Sequence, residues 1–139
     1  MTKVLFGGCF DLFHMGHLLA IQHAKSLGDY LVIQVASDEE IRHKKGKSRP
    51  VIPEMERAAL LENLRPVDEV MLWPGLHDPK GILNLVRPDV LVVNEGGKYQ
   101  LEERLAKVMG FKLAYIPRYI PNSNLDTTRI INKIVWTYK

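Results

Sequence analysis

Residues 4–17 read Val4-Leu5-Phe6-Gly7-Gly8-Cys9-Phe10-Asp11-Leu12-Phe13-His14-Met15-Gly16-His17. The apolar triplet Val4-Leu5-Phe6 predicts a buried strand. Residues 17–27 predict a helix, with Leu19, Ile21 and Ala24 on its apolar side and Gly28 as its stop. A strand-to-helix turn is usually spelled with small polar residues, yet this one carries three glycines, an aspartate and two histidines. Gly7 and Gly8 predict a sharp turn and a close approach of the backbone to a ligand. His14 and His17, three apart, share one side of a helix start. The free N–H groups and partial positive charge there favour phosphate. Gly16 predicts room for a base or ribose against the backbone.

Outward from this turn, apolar runs alternate with helical patterns. Residues 30–36 (YLVIQVA) form the strongest strand signal, β-branched and nearly continuous, as in a strand covered on both faces. A short helix is expected over residues 38–44, dissolving into the basic run Lys44-Lys45-Gly46-Lys47-Ser48-Arg49-Pro50. Pro53 then opens a helix to about Leu64, with Glu54 and Glu56 near its positive end. Strands are expected at 69–73, 89–93 and 112–116, and helices at 79–86, 101–109 and 127–136. Such alternation predicts an α/β domain spanning residues 1–139, its parallel five-stranded sheet covered by helices on both faces.

In such a sheet, ligands bind beyond the carboxyl ends of the strands, where the strand order reverses. The opening turn, the basic loop, Asn94-Glu95-Gly96-Gly97 and the segment from Arg118 all lie at such ends. The polar loops 42–52 and 117–126 are the expected ligand-gripping segments.

Bulk properties narrow the class. A chain of 139 residues with 46% hydrophobic and 25% charged residues is long enough for a single core. Its net charge of +3 is too small to imply nucleic acid, and no aromatic-studded basic face is readable. One cysteine, Cys9, excludes an internal disulfide and fits a reducing interior. Without a signal-peptide pattern or an apolar run of membrane-spanning length, a cytoplasmic protein is expected.

Several chemistries compete for the opening turn. Two histidines could ligate a metal, but the zinc-protease pattern is absent and no third ligand is evident. Cys9 could be a nucleophile, or a small apolar residue at a strand end. Neither the dinucleotide fingerprint nor the Gly-Lys-Ser/Thr phosphate loop is matched. A tight turn with incidental histidines is the plain structural alternative.

The arrangement Gly8-x-Phe10-Asp11-x-x-His14-x-Gly16-His17 resembles the signature of cytidylyltransferase-like nucleotidyltransferases, and further matches cover nearly the whole chain. They include Ser26-Leu27-Gly28-Asp29, Ala36-Ser37-Asp38, Lys45-Gly46, Arg49-Pro50-Val51 with Pro53 and Arg57, Pro66-Val67-Asp68, and Asp126-Thr127-Thr128-Arg129-Ile130-Ile131. The resemblance implies a Rossmann-like fold and transfer of AMP or CMP from a nucleoside triphosphate to a small phosphorylated acceptor, with pyrophosphate released. His14, His17, Lys45 and Arg118 are its implied catalytic residues. Gly8, Cys9, Phe10, Asp11, Gly16, Lys44, Asn94, Asp126, Thr127 and Thr128 would form the nucleotide site, and Asp38 and Arg57 would face the acceptor. Mg²⁺ would be bound through the triphosphate, with no metal site of the protein's own, and a homodimer is implied.

Two departures stand out. Cys9 replaces the usual Thr, Ser or Val, and Asp126 replaces the serine of the closing Ser-Thr-Thr. The segment Pro121-Asn122-Ser123-Asn124 also lacks the family's common glycine. Residues 45–57 and the tail from Thr127 resemble heptose-phosphate adenylyltransferases, which serve lipopolysaccharide core biosynthesis. The short chain and opening turn resemble glycerol-3-phosphate cytidylyltransferase. A sugar phosphate with ATP is therefore the first expectation. An archaeal-type FAD synthetase and a catalytically silent nucleotide-binding homologue are the alternatives.

Overall fold

The computed structural model describes residues 1–73, 78–119 and 126–139. Five strands form one parallel sheet: β1 (Lys3–Gly8), β2 (Tyr30–Ala36), β3 (Glu69–Trp73), β4 (Val90–Asn94) and β5 (Lys112–Ile116). Their spatial order is β3-β2-β1-β4-β5. The chain thus moves outward from β1 through β2 to β3, then returns to the other side of β1 for β4. The order reverses between β1 and β4, whose carboxyl ends are Gly8 and Asn94.

Helices cover both faces of the sheet. On one, Ala20, Ile21 and Ala24 of α1 (Met15–Ser26) and Ala58 and Leu61 of α3 (Glu54–Glu62) bury Val4, Phe6, Leu31, Ile33 and Val35. On the other, Ile82, Leu83 and Val86 of α4 (Pro79–Val86) pack with Leu5, Val32, Leu91 and Val93. Leu105, Ala106 and Met109 of α5 (Gln100–Met109) join this second cluster. The alternation of strand side chains between the faces follows from the pleat. It explains why β2 reads as continuously apolar: both of its faces are covered.

The short helix after β2 is α2 (Asp38–Lys45), capped by Ser37 Oγ, which accepts from the Glu40 N–H at 3.1 Å. It runs through Lys45 and stops at Gly46, whose φ of +97° favours glycine. The closing helix α6 (Thr127–Tyr138) has no buried residue, and its Ile134, Val135, Trp136 and Tyr138 are exposed. Trp136 is therefore surface, whereas Trp73 packs with the second core cluster. Among the described residues, no helix is long and apolar enough to cross a membrane. His77 and the 121–124 segment lie outside the described residues.

The turn after β1 differs from the sequence expectation. Gly7 and Gly8 stay in the strand, in register with Gln34 and Val35. The left-handed backbone falls on Phe10 (φ 52°) and Leu12 (φ 48°) instead. For a residue with a side chain this conformation costs roughly 1–2 kcal/mol. Burial of the Phe10 ring, edge-on to Phe6 at 5.8 Å, offsets it. Gly8 is needed for another reason, since a Cβ there would stand 3.0 Å from that ring.

Candidate active site

At the end of β1 the chain enters α1 through an unusual cap. The His14 Nδ1 accepts from the Gly16 N–H at 3.0 Å, and the His17 Nδ1 accepts from the His14 N–H at 3.2 Å. The two rings stack with centroids 3.9 Å apart. An Nδ1 that accepts carries no proton, so each neutral ring bears its hydrogen on Nε2. Electrostatics favour the same state. Burial pushes His17 down to about 4; the nearby His14 and Lys45 add to this, and Asp11 opposes it. Burial also lowers His14, against the pull of Asp126. Near neutral pH the turn therefore offers two uncharged N–H donors above the helix N-terminus, where burying two cations would be unfavourable.

These rings line a cavity of about 630 Å³ at the carboxyl ends of β1 and β4. Lys45, Arg49 and Arg118 supply positive charge to its wall, while Thr127 and Thr128 bring in the start of α6. Gly8, Cys9, Phe10, Asp11, Gly16, Asn94 and Asp126 also line it. The sequence-predicted residues are thus gathered with three exceptions: Lys44, Asp38 and Arg57.

Lys44 points to a second cavity and pairs with Glu40, one helical turn earlier, at 3.1 Å. Successive helix residues point about 100° apart, so the two neighbouring lysines leave α2 in different directions and line different cavities. Arg57 was expected at the acceptor, but its side chain is fully buried. Its Nε donates to the Ile52 carbonyl at 2.8 Å. One Nη donates to the carbonyls of Cys9 (2.7 Å) and Ala36 (2.8 Å), and the other to Asp38 Oδ1 at 2.8 Å. Arg57 and Asp38 tie the ends of β1 and β2 to the loop before α3, and neither lines the cavity of the histidines.

Two other assignments change in detail. Gly16 leaves room for protein: a Cβ would meet the Tyr119 carbonyl at 2.8 Å and the His14 ring at 2.9 Å. Asp11 is 3% exposed and shapes the turn from within. Its carboxylate accepts from the N–H groups of Val51 (2.8 Å) and Ile52 (2.9 Å), and its carbonyl accepts from Thr127 Oγ1 at 2.9 Å.

Asp126 caps α6, accepting from the Arg129 N–H at 2.8 Å. That bond, with Arg129 and Arg118 nearby, holds its carboxyl below the usual range. Its negative charge is thereby committed to a helix terminus and two guanidinium groups.

Sequence reading missed Arg49, Tyr119 and Gln34. Arg49 lies 3.6 Å from Asp11, so the buried carboxylate aims it along the cavity wall. Its signal was a cation beside Pro50 in the loop after β2. Tyr119 donates or accepts through its hydroxyl at 2.6 Å from His23 Nδ1, clamping the segment after β5 onto α1. Only the fold brings these two together. Gln34 is the one polar residue between Leu31 and Ala36, a break visible in the strand's apolar run.

Among the described residues no three His, Cys, Asp or Glu side chains gather as a metal cluster.

A family model for cytidylyltransferase-like proteins matches residues 5–133, and the chain belongs to that family. It is an enzyme of the nucleotidyltransferase class. The chain is 38% identical to the FAD synthase of Thermococcus onnurineus over 141 residues, covering 98% of this chain and 93% of that protein. It is 39% identical to the bifunctional protein HldE of Helicobacter pylori over 138 residues, covering 98% of this chain but only 28% of that protein. The HldE of a Nitratiruptor species matches at 37% identity, with 27% of its length covered. Among solved structures, a lipopolysaccharide core biosynthesis protein from Thermoplasma volcanium superposes with a TM-score of 0.71 at 30% identity, covering 86% of this chain and 97% of that one.

Proposed function

We propose that this chain transfers AMP from ATP to a small phosphorylated acceptor. An acceptor phosphate oxygen attacks the α-phosphorus, forming the new P–O bond. The bond from that phosphorus to the bridging oxygen breaks, and pyrophosphate leaves with the electron pair. A phosphate monoester is already an anion at neutral pH, so the protein needs no nucleophile. Its task is to position two anions and neutralise charge on the leaving pyrophosphate.

The observation that carries this reading is the pair of neutral imidazoles whose Nδ1 atoms are occupied by backbone N–H groups. Each leaves an Nε2–H donor at the mouth of a helix N-terminus, and fixed donors aimed where charge develops are effective in catalysis. Lys45, Arg49 and Arg118 would balance the triphosphate. Mg²⁺ would travel with the triphosphate, bridging its oxygens and neutralising their charge.

Two acceptors are favoured by different relatives. The HldE matches favour a sugar phosphate, in line with the sequence expectation. FMN, whose adenylylation gives FAD, is favoured by the FAD synthase match, which spans 93% of that relative against about a quarter of HldE. We place FMN first for that reason. Both acceptors fit ATP as donor better than CTP. A homodimer, supported by the exposed apolar residues of α6, and a cytoplasmic location, supported by the single cysteine, belong to the same reading.

Pyrophosphate release tests it, with ATP or CTP offered alongside FMN, sugar phosphates and glycerol 3-phosphate in Mg²⁺. Release with ATP and one acceptor is expected. Silence from every pair, with ATP still raising the melting temperature, would make the chain a nucleotide-binding homologue without turnover.

A further inference from the structure

A second cavity, of about 530 Å³, opens on the α4/α5 face of the sheet at the same carboxyl edge. Gly7, Asn94 and Tyr99 line both cavities, so a molecule held by its phosphate in the first can extend into the second. We propose that the second cavity selects a polyol, a run of neighbouring hydroxylated carbons next to the acceptor's phosphate, read by the Glu40 carboxylate and the Gln34 amide. The inference rests on the adenylyl-transfer reading above and adds what its acceptor must carry. FMN has such a run between phosphate and ring, and a sugar phosphate has it in the sugar, so the selection applies to either.

The charges of the wall decide the class of ligand. Lys44, Lys98 and Arg104 line it together with Glu40, Asp78 and Glu102, three of each sign. That balance gives a second anion no net attraction. An apolar group would cover Glu40 and Gln34 without returning a hydrogen bond, which is unfavourable. A hydroxyl both donates and accepts, so it can serve a carboxylate and an ammonium at once. Buried Leu5, Leu83 and Val93, which also line the cavity, offer contact to the C–H groups between hydroxyls.

Glu40 and Gln34 are the inner polar groups of that wall. Glu40 is 8% exposed, and among the described residues its carboxylate meets one cation, Lys44 at 3.1 Å. A carboxylate has room for about four hydrogen bonds, so most of its capacity is left for a ligand. Its two oxygens, side by side, match the spacing of two neighbouring hydroxyls. Gln34, half-buried on β2, sits opposite Gly7 of β1. A Cβ on residue 7 would stand 2.9 Å from Gln34 Oε1, so the glycine gives the amide space to lie over bare backbone. Among the described residues this amide has no hydrogen-bond partner, and a half-buried amide is unfavourable until a ligand satisfies it. Its donor and acceptor suit one further hydroxyl. The acceptor's phosphate would then extend past Asn94 toward the histidines.

Calorimetric titration of the intact chain with ribitol 5-phosphate and with n-pentyl phosphate tests the inference, since the two differ only in hydroxyls. Wild-type protein should bind the polyol at least about tenfold more tightly. Glu40→Gln, which keeps the shape but not the charge, and Gln34→Leu should each remove most of that preference. Affinity for n-pentyl phosphate and the KM for ATP should stay unchanged in both, which a merely structural role for these side chains would not predict. Equal affinity for the two phosphates, no binding of ribitol 5-phosphate, or a preference that survives in both variants overturns the proposal. Pyrophosphate release from ATP with FMN or with a sugar phosphate then tells which source supplies the polyol, and the KM of that acceptor should rise about tenfold in both variants. Release at an unchanged acceptor KM would discard the polyol site yet leave adenylyl transfer standing. Conversely, a polyol preference that depends on Glu40 and Gln34, with no release from any acceptor, would support the site while counting against the reaction.

Discussion

His17 does two jobs through two ring atoms, and substitutions can separate them. Its Nδ1 accepts from the backbone of His14, and its Nε2–H is the donor assigned to phosphate. His17→Asn keeps an acceptor near the Nδ1 position but loses the distal donor. We expect kcat/KM to fall by about two orders of magnitude, the loss typical of a missing transition-state donor, with the helix cap largely retained. The same ring sets an acid limit on stability. Its pKa is about 4 in the folded protein against an ordinary 6.5, so the unfolded chain binds more protons between those values. The contribution is fully present above pH 6.5 and is lost as pH falls toward 4, amounting to about 3 kcal/mol at most. Thermal unfolding followed from pH 7 to pH 4 should fall less steeply for His17→Asn than for wild type. Parallel curves would show that the imidazole is not kept neutral by burial.

Where elements meet, buried polar side chains tie the turn to its neighbours. Arg57 on α3 binds three carbonyls and Asp38, and Asp11 binds the loop before α3 and, through its carbonyl, the first residue of α6. Arg57→Met should destabilise the protein by about 3 kcal/mol or more, because it orphans buried acceptors. Urea denaturation measures this directly, and a loss under 1 kcal/mol would mean that these carbonyls find other partners. Elements themselves were legible in the sequence: each strand and helix was readable from periodicity and stop signals, because local pattern and global fold agree here. The jobs of Arg57, Gly16 and Gly7 were not. A cation near a phosphate site looks the same in sequence whether it faces ligand or carbonyls, and only packing decides. Likewise Gly8 announces a tight contact without saying that its neighbour is Phe10, two residues on.

At the scale of the molecule, the strand order explains why residues from 8 to 128 share one cavity. Reversal between β1 and β4 opens the sheet edge there, and the connections after β1, β2, β4 and β5 each contribute residues to the cavity. The nucleotide would therefore touch the turn after β1, the end of α2, the segments after β4 and β5, and the start of α6. A ligand that bridges so many connections should stabilise the whole fold rather than one loop. Binding shifts stability by RT ln(1 + [L]/Kd), so ATP with Mg²⁺ at a hundred times its Kd adds about 2.7 kcal/mol. For a chain of this size that is a rise of roughly 5–10 °C in melting temperature. The rise should be much smaller for CTP at equal concentration and should vanish when His14 and His17 are both replaced by Asn. Equal shifts from ATP and CTP would remove the preference for an adenine donor. A shift that survives the double replacement would move the triphosphate away from the turn after β1.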